Sequence, residues 1–105
     1  MTFKRCGFNF LWAFICPEAG AKPQPADERA LDFVAGQGFD FVRVPSDYRY
    51  WTKGQAYTRP DESVLAVFDG YLEACRSRGL HMSLNLHRAP GYCINRNDLE
   101  KHSLW

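Results

Sequence analysis

The sequence lacks the features that mark membrane-spanning and nucleic-acid-binding proteins. Its 105 residues hold 13 Lys and Arg against 12 Asp and Glu, a net charge of +1, which gives no electrostatic case for a nucleic acid or an anionic membrane surface as partner. No apolar stretch approaches the ~18 residues of a membrane span. No apolar segment of a signal peptide follows the basic start, so the cytoplasm is the default expectation for its location.

The sequence also lacks paired cysteines. No Cys-x-x-Cys motif occurs, and the cysteines are spread along the chain as Cys6, Cys16, Cys75 and Cys93. Separate thiols in a reducing compartment are the favoured interpretation. A zinc site would have to be built from His81, His87, Cys93 and His102. These spacings match no compact ligand pattern, so we predict no metal and no other cofactor.

What is present is an alternation of strand and helix patterns. The apolar, aromatic segment 4–14 predicts a buried strand and a following loop, and the proline-rich segment 16–25 predicts a loop. A helix should begin near Asp27, where acidic residues favour the positive end of a helix dipole, and end at the glycines of 36–38. Segment 39–45 predicts a second strand that ends at Pro45 and places Arg43 opposite its valines.

The second half of the sequence repeats this order. Residues 46–60 predict a long aromatic loop, and a second helix should run from about Asp61 to Gly79. Its apolar stripe consists of Val64, Val67, Phe68, Tyr71, Leu72 and Cys75. A third strand, 80–87, carries leucines and a methionine on one face. Its other face is polar and consists of His81, Ser83, Asn85 and His87.

The order strand-helix-strand-helix-strand favours a parallel sheet with right-handed crossovers. A doubly wound sheet is usually apolar on both faces, whereas the second and third strands here become polar toward their carboxyl ends. The sequence therefore predicts an α/β fold, the N-terminal β-α-β-α-β portion of a (β/α)8 TIM barrel with its site at that end. An α/β sheet with one solvated face is the alternative.

Three segments resemble the first three barrel strands of glycoside hydrolase family 5, the cellulase family. They are GFNFLW (7–12), GFDFVRVP (38–45) and LHMSLNLHRAPGYCIN (80–95), in order and at natural spacing. The resemblance implies a barrel that hydrolyses β-linked glycans with retention of configuration. It also implies that Arg43 holds the nucleophilic carboxylate and that His87 lines the −1 sugar subsite.

Both roles make physical sense. An arginine fork orients a carboxylate and keeps it ionised, and a neutral imidazole can donate to a sugar hydroxyl. The alternatives are an ordinary strand-end ion pair for Arg43 and a structural histidine for His87. Aromatic rings stack on sugar C–H faces, so Trp51, Tyr92 and Trp12 are predicted to bind the glycan, with plain packing as the alternative.

The reactive carboxyl groups are missing from the sequence. Retaining glycosidases need two carboxyls ~5–5.5 Å apart, and the resemblance implies glutamates on strands four and seven, one within an Asn-Glu pair. No Asn-Glu dipeptide occurs, and a barrel typically has ~250 residues. We therefore expect residues 1–105 to be an incomplete domain, truncated after the third strand, without a catalytic residue and inactive alone.

Two other functions stay open at the level of sequence. The chain could be a standalone α/β module that binds sugars without hydrolysing them, or part of another barrel enzyme such as a sugar isomerase. Unpaired strand edges would also allow self-association.

Overall fold

The computed structural model describes residues 5–18, 20–52 and 57–90. The elements are β1 (Gly7–Asn9), α1 (Glu28–Gly36), β2 (Phe41–Asp47), a 3₁₀ turn (Tyr48–Tyr50), α2 (Glu62–Arg76) and β3 (His81–Arg88). The strands form one sheet in the order β1-β2-β3, and both pairings are parallel. The predicted alternation of parallel strands and helices is confirmed.

The two helices begin where the acidic residues predict. The Asp27 carboxylate accepts from the Ala30 amide at 3.1 Å, and the Asp61 carboxylate accepts from the Ser63 amide at 3.0 Å. Each bond satisfies an amide that has no partner within its own helix. Neither helix is long and apolar enough to cross a membrane, as far as the described ranges extend.

The core lies between the helices and one face of the sheet. Its fully or largely buried members include Leu31, Val34, Val42, Val44, Val64, Phe68, Tyr71 and Cys75. Leu72 was predicted to belong to this stripe, but it is 51% exposed. Each helical residue turns the side chain by about 100°, so Leu72 lies on the flank of a stripe centred on Phe68, Tyr71 and Cys75. The prediction for Leu72 was wrong.

Strand β1 is shorter and more exposed than the sequence predicts. It has three exposed residues, and burial begins only afterwards, at Trp12 and Ala13. In the described sheet β1 pairs on one side alone, which leaves its other edge uncovered. At Gly7 a Cβ atom would lie 1.5 Å from the carbonyl oxygen of Phe41, so only glycine allows this close approach of β1 to β2.

Strand β2 does not end at Pro45, as the sequence predicts, but continues to Asp47. Alternate residues of a parallel strand bond to the same neighbour. Toward β1 these bonds are Phe10 N to Arg43 O and Asp47 N to Ala13 O, both 2.9 Å. Pro45 falls between them, and the pairing resumes at Asp47. The missing N–H of Pro45 therefore interrupts the ladder without ending the strand.

Strand β3 has the predicted orientation but only partial cover. Its register pairs Met82 with Val42 and Leu84 with Val44, so the apolar side chains share the helix face. Leu80 is buried and Met82 packs on the core, while Leu84 and Leu86 are about half exposed. The described helices thus cover the start of β3 and not its end.

Candidate functional site

Polar side chains line the sheet face opposite the helices. The register pairs Asn9 with Arg43 and Pro45 with Asn85. Because side chains alternate along a strand, these residues point away from buried Val42 and Val44. Asn9, Arg43 and Asn85 therefore meet on one face, toward the carboxyl ends of three parallel strands.

Arg43 lies at the centre of this polar face. Its Nη2 donates to Asn85 Oδ1 at 2.8 Å, and its Nη1 is 3.4 Å from Asn9 Oδ1. No Asp or Glu of the described segments forms an ion pair with Arg43. A guanidinium has five N–H donors. The two asparagines use two of them, so the others can donate to a carboxylate.

The hydrogen bond that Asn85 accepts from Arg43 is expected to contribute measurably to the stability of the fold. Asn85→Ala removes the 2.8 Å acceptor of a partly buried cation, and we expect a loss of roughly 1–2 kcal/mol in urea unfolding. Asn9→Ala is the matched control, because its oxygen lies at 3.4 Å, and it should cost less. Equal losses for the two variants would show that Asn85 is not the main partner of Arg43.

His87 lies near the end of β3, where the register to β2 is irregular: Leu86 pairs with Ser46, and Arg88 pairs with Asp47. The side chain is exposed, and its ring centroid lies 5.0 Å from that of Phe14. Among the described residues no hydrogen-bond partner of the imidazole is found. His81, at the other end of β3, stacks on Phe41.

Asp47 is the one acidic residue that the described part of the chain buries completely. Its carboxylate accepts from the amides of Cys16 and Arg49 and from the Arg49 side chain, at 2.6 Å to Nη2. Burial acts to raise the pKa of Asp47, but the hydrogen bonds from Arg49 and the Cys16 amide outweigh it and hold that pKa below its ordinary value. Asp47 thus stays ionised, and its carboxylate stabilises the fold through its bonds to Cys16 and Arg49.

Two of the three aromatic residues predicted to bind sugar, Trp12 and Trp51, pack against the core and not on this face. Trp12 is 7% exposed and lies in the core, stacked on Phe10 and in contact with Tyr71 of α2. Its ring faces are therefore covered in this structure. Trp51 packs edge-on against Phe68 of the same helix. Tyr92 lies outside the described residues.

Sequence reasoning missed three residues of the site. Asn85 lies on the polar face predicted for its strand but has no predicted role, and the sequence singles out neither Asn9 nor Phe14. The signal for Asn85 was its position two residues before His87 on the same polar face. No pattern in the sequence marks Phe14, because its contact joins a loop to a distant strand.

The described part of the chain holds no group of three His, Cys, Asp or Glu residues that could bind a metal ion. Two members of the considered zinc set, Cys93 and His102, lie outside it. The polar face offers amide oxygens and one guanidinium instead, and the imidazole of His87 lies near the end of β3. Such groups bind and orient a polar substrate or a carboxylate.

Comparison with known proteins adds independent information. The family model described as Cellulase (glycosyl hydrolase family 5) matches residues 7–103. Endoglucanase C of Acetivibrio thermocellus and Endoglucanase C307 of Clostridium sp. (strain F1) are each 35% identical over 65 residues, which is 62% of this chain and 19% of theirs. A solved structure, described as the crystal structure of a glycoside hydrolase, is 55% identical with a TM-score of 0.84 and covers 94% of this chain. The chain spans 30% of that structure and about a fifth of the curated relatives.

Proposed function

The chain belongs to the cellulase family, glycosyl hydrolase family 5, and from this membership we propose that it supplies the first three strands of a retaining β-glycosidase, similar to an endoglucanase. Its three parallel strands and two helices are consistent with part of a (β/α)8 barrel, as the sequence predicts, and the solved glycoside hydrolase shares this arrangement over 94% of the chain. The proposed reaction is hydrolysis of O-glycosidic bonds in a β-linked glycan.

The observation that supports this function most is that Arg43 forms no ion pair with any described residue. Two asparagine oxygens hold the guanidinium on the polar face, and the described residues supply no carboxylate for it. In the proposed enzyme a glutamate from elsewhere in the barrel completes this pair. Charge-assisted hydrogen bonds from Arg43 then orient that carboxylate and keep it ionised, as a nucleophile requires.

His87 has the complementary role in this proposal. Its exposed ring makes no hydrogen bond to the described part of the protein, so its nitrogens are available to a sugar hydroxyl. The position at the carboxyl end of a strand is where barrel enzymes bind substrates. Arg43 thus orients the attacking group, and His87 orients the sugar.

The reaction itself needs two further carboxyl groups. In retaining hydrolysis one carboxylate attacks the anomeric carbon, and the other protonates the leaving oxygen and then activates water. Asp47 does not suit either role, because Arg49 and the Cys16 amide occupy its oxygens. We therefore propose that the isolated 105-residue chain does not hydrolyse glycans.

A chimera tests this function directly. Residues 7–90 replace the matching segment of the 55% identical glycoside hydrolase, and hydrolysis of soluble β-glucan and of an aryl β-glycoside is measured. We expect turnover by the chimera and none by the isolated chain. Arg43→Ala should lower kcat of the chimera about 100-fold or more, because it removes a preorganised charge. Arg76→Ala, with a side chain 81% exposed on α2, should leave kcat unchanged.

Two results would contradict the proposal. One is a chimera whose turnover does not depend on Arg43, and the other is hydrolysis by the isolated chain. Calorimetry of the isolated chain with cello- and manno-oligosaccharides tests the main alternative, a module that binds sugars without hydrolysing them. Sugar binding there, combined with an inactive chimera, would favour a small sugar-binding module.

A further inference from the structure

We propose that Phe14 is a positioning residue for His87 and sets the angle at which the imidazole meets a sugar hydroxyl. The orientation of His87 toward a sugar rests on the proposed glycosidase function. The contact between the Phe14 and His87 rings is independent of that proposal. Phe14 belongs to the loop after β1, and neither the sequence pattern nor the family match assigns it a role.

Phe14 contacts both residues at the end of β3. Its ring centroid lies 5.0 Å from that of His87, with 51° between the ring planes, and 5.0 Å from Cζ of Arg88. Ring pairs at this separation and cations near an aromatic ring are both attractive. The Phe14 ring thus packs between the exposed imidazole and the neighbouring guanidinium.

The backbone around Phe14 is held by two buried charged residues. Arg88 is 7% exposed, and its Nε donates to the Phe14 carbonyl at 3.1 Å. Asp47 binds the loop on both sides, through its own amide to Ala13 O and through its carboxylate to the Cys16 amide, each at 2.9 Å. Buried charges persist only when hydrogen-bonded. Phe14 therefore cannot shift without leaving one of these groups unpaired.

Among the described residues, no hydrogen-bonding group fixes the His87 ring in the way that Arg88 and Asp47 fix the backbone around Phe14. Where a histidine donates or accepts a hydrogen bond within a protein, that bond fixes its ring. In the described structure the ring contact of His87 is with Phe14, and its nitrogens bond to no described residue. Packing against Phe14 thus orients the ring and leaves both nitrogens available to a ligand.

NMR spectroscopy of the 105-residue chain tests the contact. We expect a nuclear Overhauser effect between the ring protons of Phe14 and His87. Phe14→Leu should remove the ring-current shift of the His87 ring protons, and Phe14→Tyr should restore it. His81 is the internal reference and should not move. Phe33→Leu, a matched change of a phenylalanine that is 64% exposed on α1, should alter neither histidine.

Activity of the chimera tests the consequence. Phe14→Leu should lower kcat roughly 2- to 10-fold, the effect of one aromatic pair, and Phe14→Tyr should recover it. Unchanged His87 resonances in Phe14→Leu, or no Overhauser effect in the wild type, would overturn the inference. If Phe14→Leu does not fold, the wild-type Overhauser effect and the Phe14→Tyr resonances decide. An inactive chimera with the ring contact present would refute the glycosidase proposal and leave the ring contact standing.

Discussion

Replacing Trp12 by alanine is expected to lower the free energy of unfolding by about 3–5 kcal/mol, the usual cost of deleting a buried aromatic ring. Trp12 is 7% exposed, and its ring lies 4.6 Å from that of Phe10 and 4.9 Å from that of Tyr71, between centroids. Alanine would leave a cavity between the loop after β1 and helix α2. Urea unfolding followed by circular dichroism measures the loss.

The same experiment separates the two roles considered for Trp12. Trp12→Phe keeps a ring in the core and should lose clearly less stability than Trp12→Ala. A residue that stacked on sugar instead would lose glycan affinity on mutation and keep its unfolding midpoint. A wild-type midpoint for Trp12→Ala would therefore contradict the core placement.

Asp47→Ala is expected to cost roughly 3–4 kcal/mol at neutral pH. The change breaks a pair in which the carboxylate is fully buried, and it leaves the Cys16 amide without its acceptor. Breaking a buried pair is costly because the remaining partner stays desolvated. Arg49 is 37% exposed on its side chain, so water can recover part of its loss. Asp69→Ala on the exposed surface of α2 is the control and should change little.

The effect of Asp47 should depend on pH with a definite sign. Its pKa in the folded protein is lower than the ordinary value of 3.8, so the unfolded chain takes up a proton first as the pH falls. Its contribution is therefore present above pH 4 or so and declines as the pH falls toward the folded pKa. The difference between wild type and Asp47→Ala should shrink in this acid range. A difference that grows in acid would contradict the bonding described for Asp47.

The regular elements could be predicted from the sequence because their signals are local. Asp27 and Asp61 cap their own helices, and the alternation of Val42 and Val44 with Arg43 lies within one strand. The end of β2 could not be predicted in the same way. Whether Pro45 breaks a strand depends on the neighbouring segment, and here the pairing resumes two residues later, between Asp47 N and Ala13 O.

The candidate site divides along the same line. The side of the sheet that carries Arg43 follows from alternation alone, whereas His87 lies at the irregularity between the Ser46–Leu86 and Asp47–Arg88 pairs. Their partners required three-dimensional information, because Asn85 and Phe14 are 42 and 73 positions away in the chain, by numbering. For Trp12 the sequence marks the loop, but nothing in the sequence indicates that the loop packs on α2 and buries the ring.

The absence of a Cβ atom at Gly7 sets the distance between β1 and β2, and so the spacing of Asn9 and Arg43 on the polar face. A side chain at Gly7 would collide with the carbonyl of Phe41 and push β1 sideways from β2. Asn9 follows two residues later, and its oxygen already lies at 3.4 Å from Arg43, the outer limit of a hydrogen bond. A methyl group at Gly7 would therefore move Asn9 away from Arg43 and remove one of the two acceptors that hold the guanidinium.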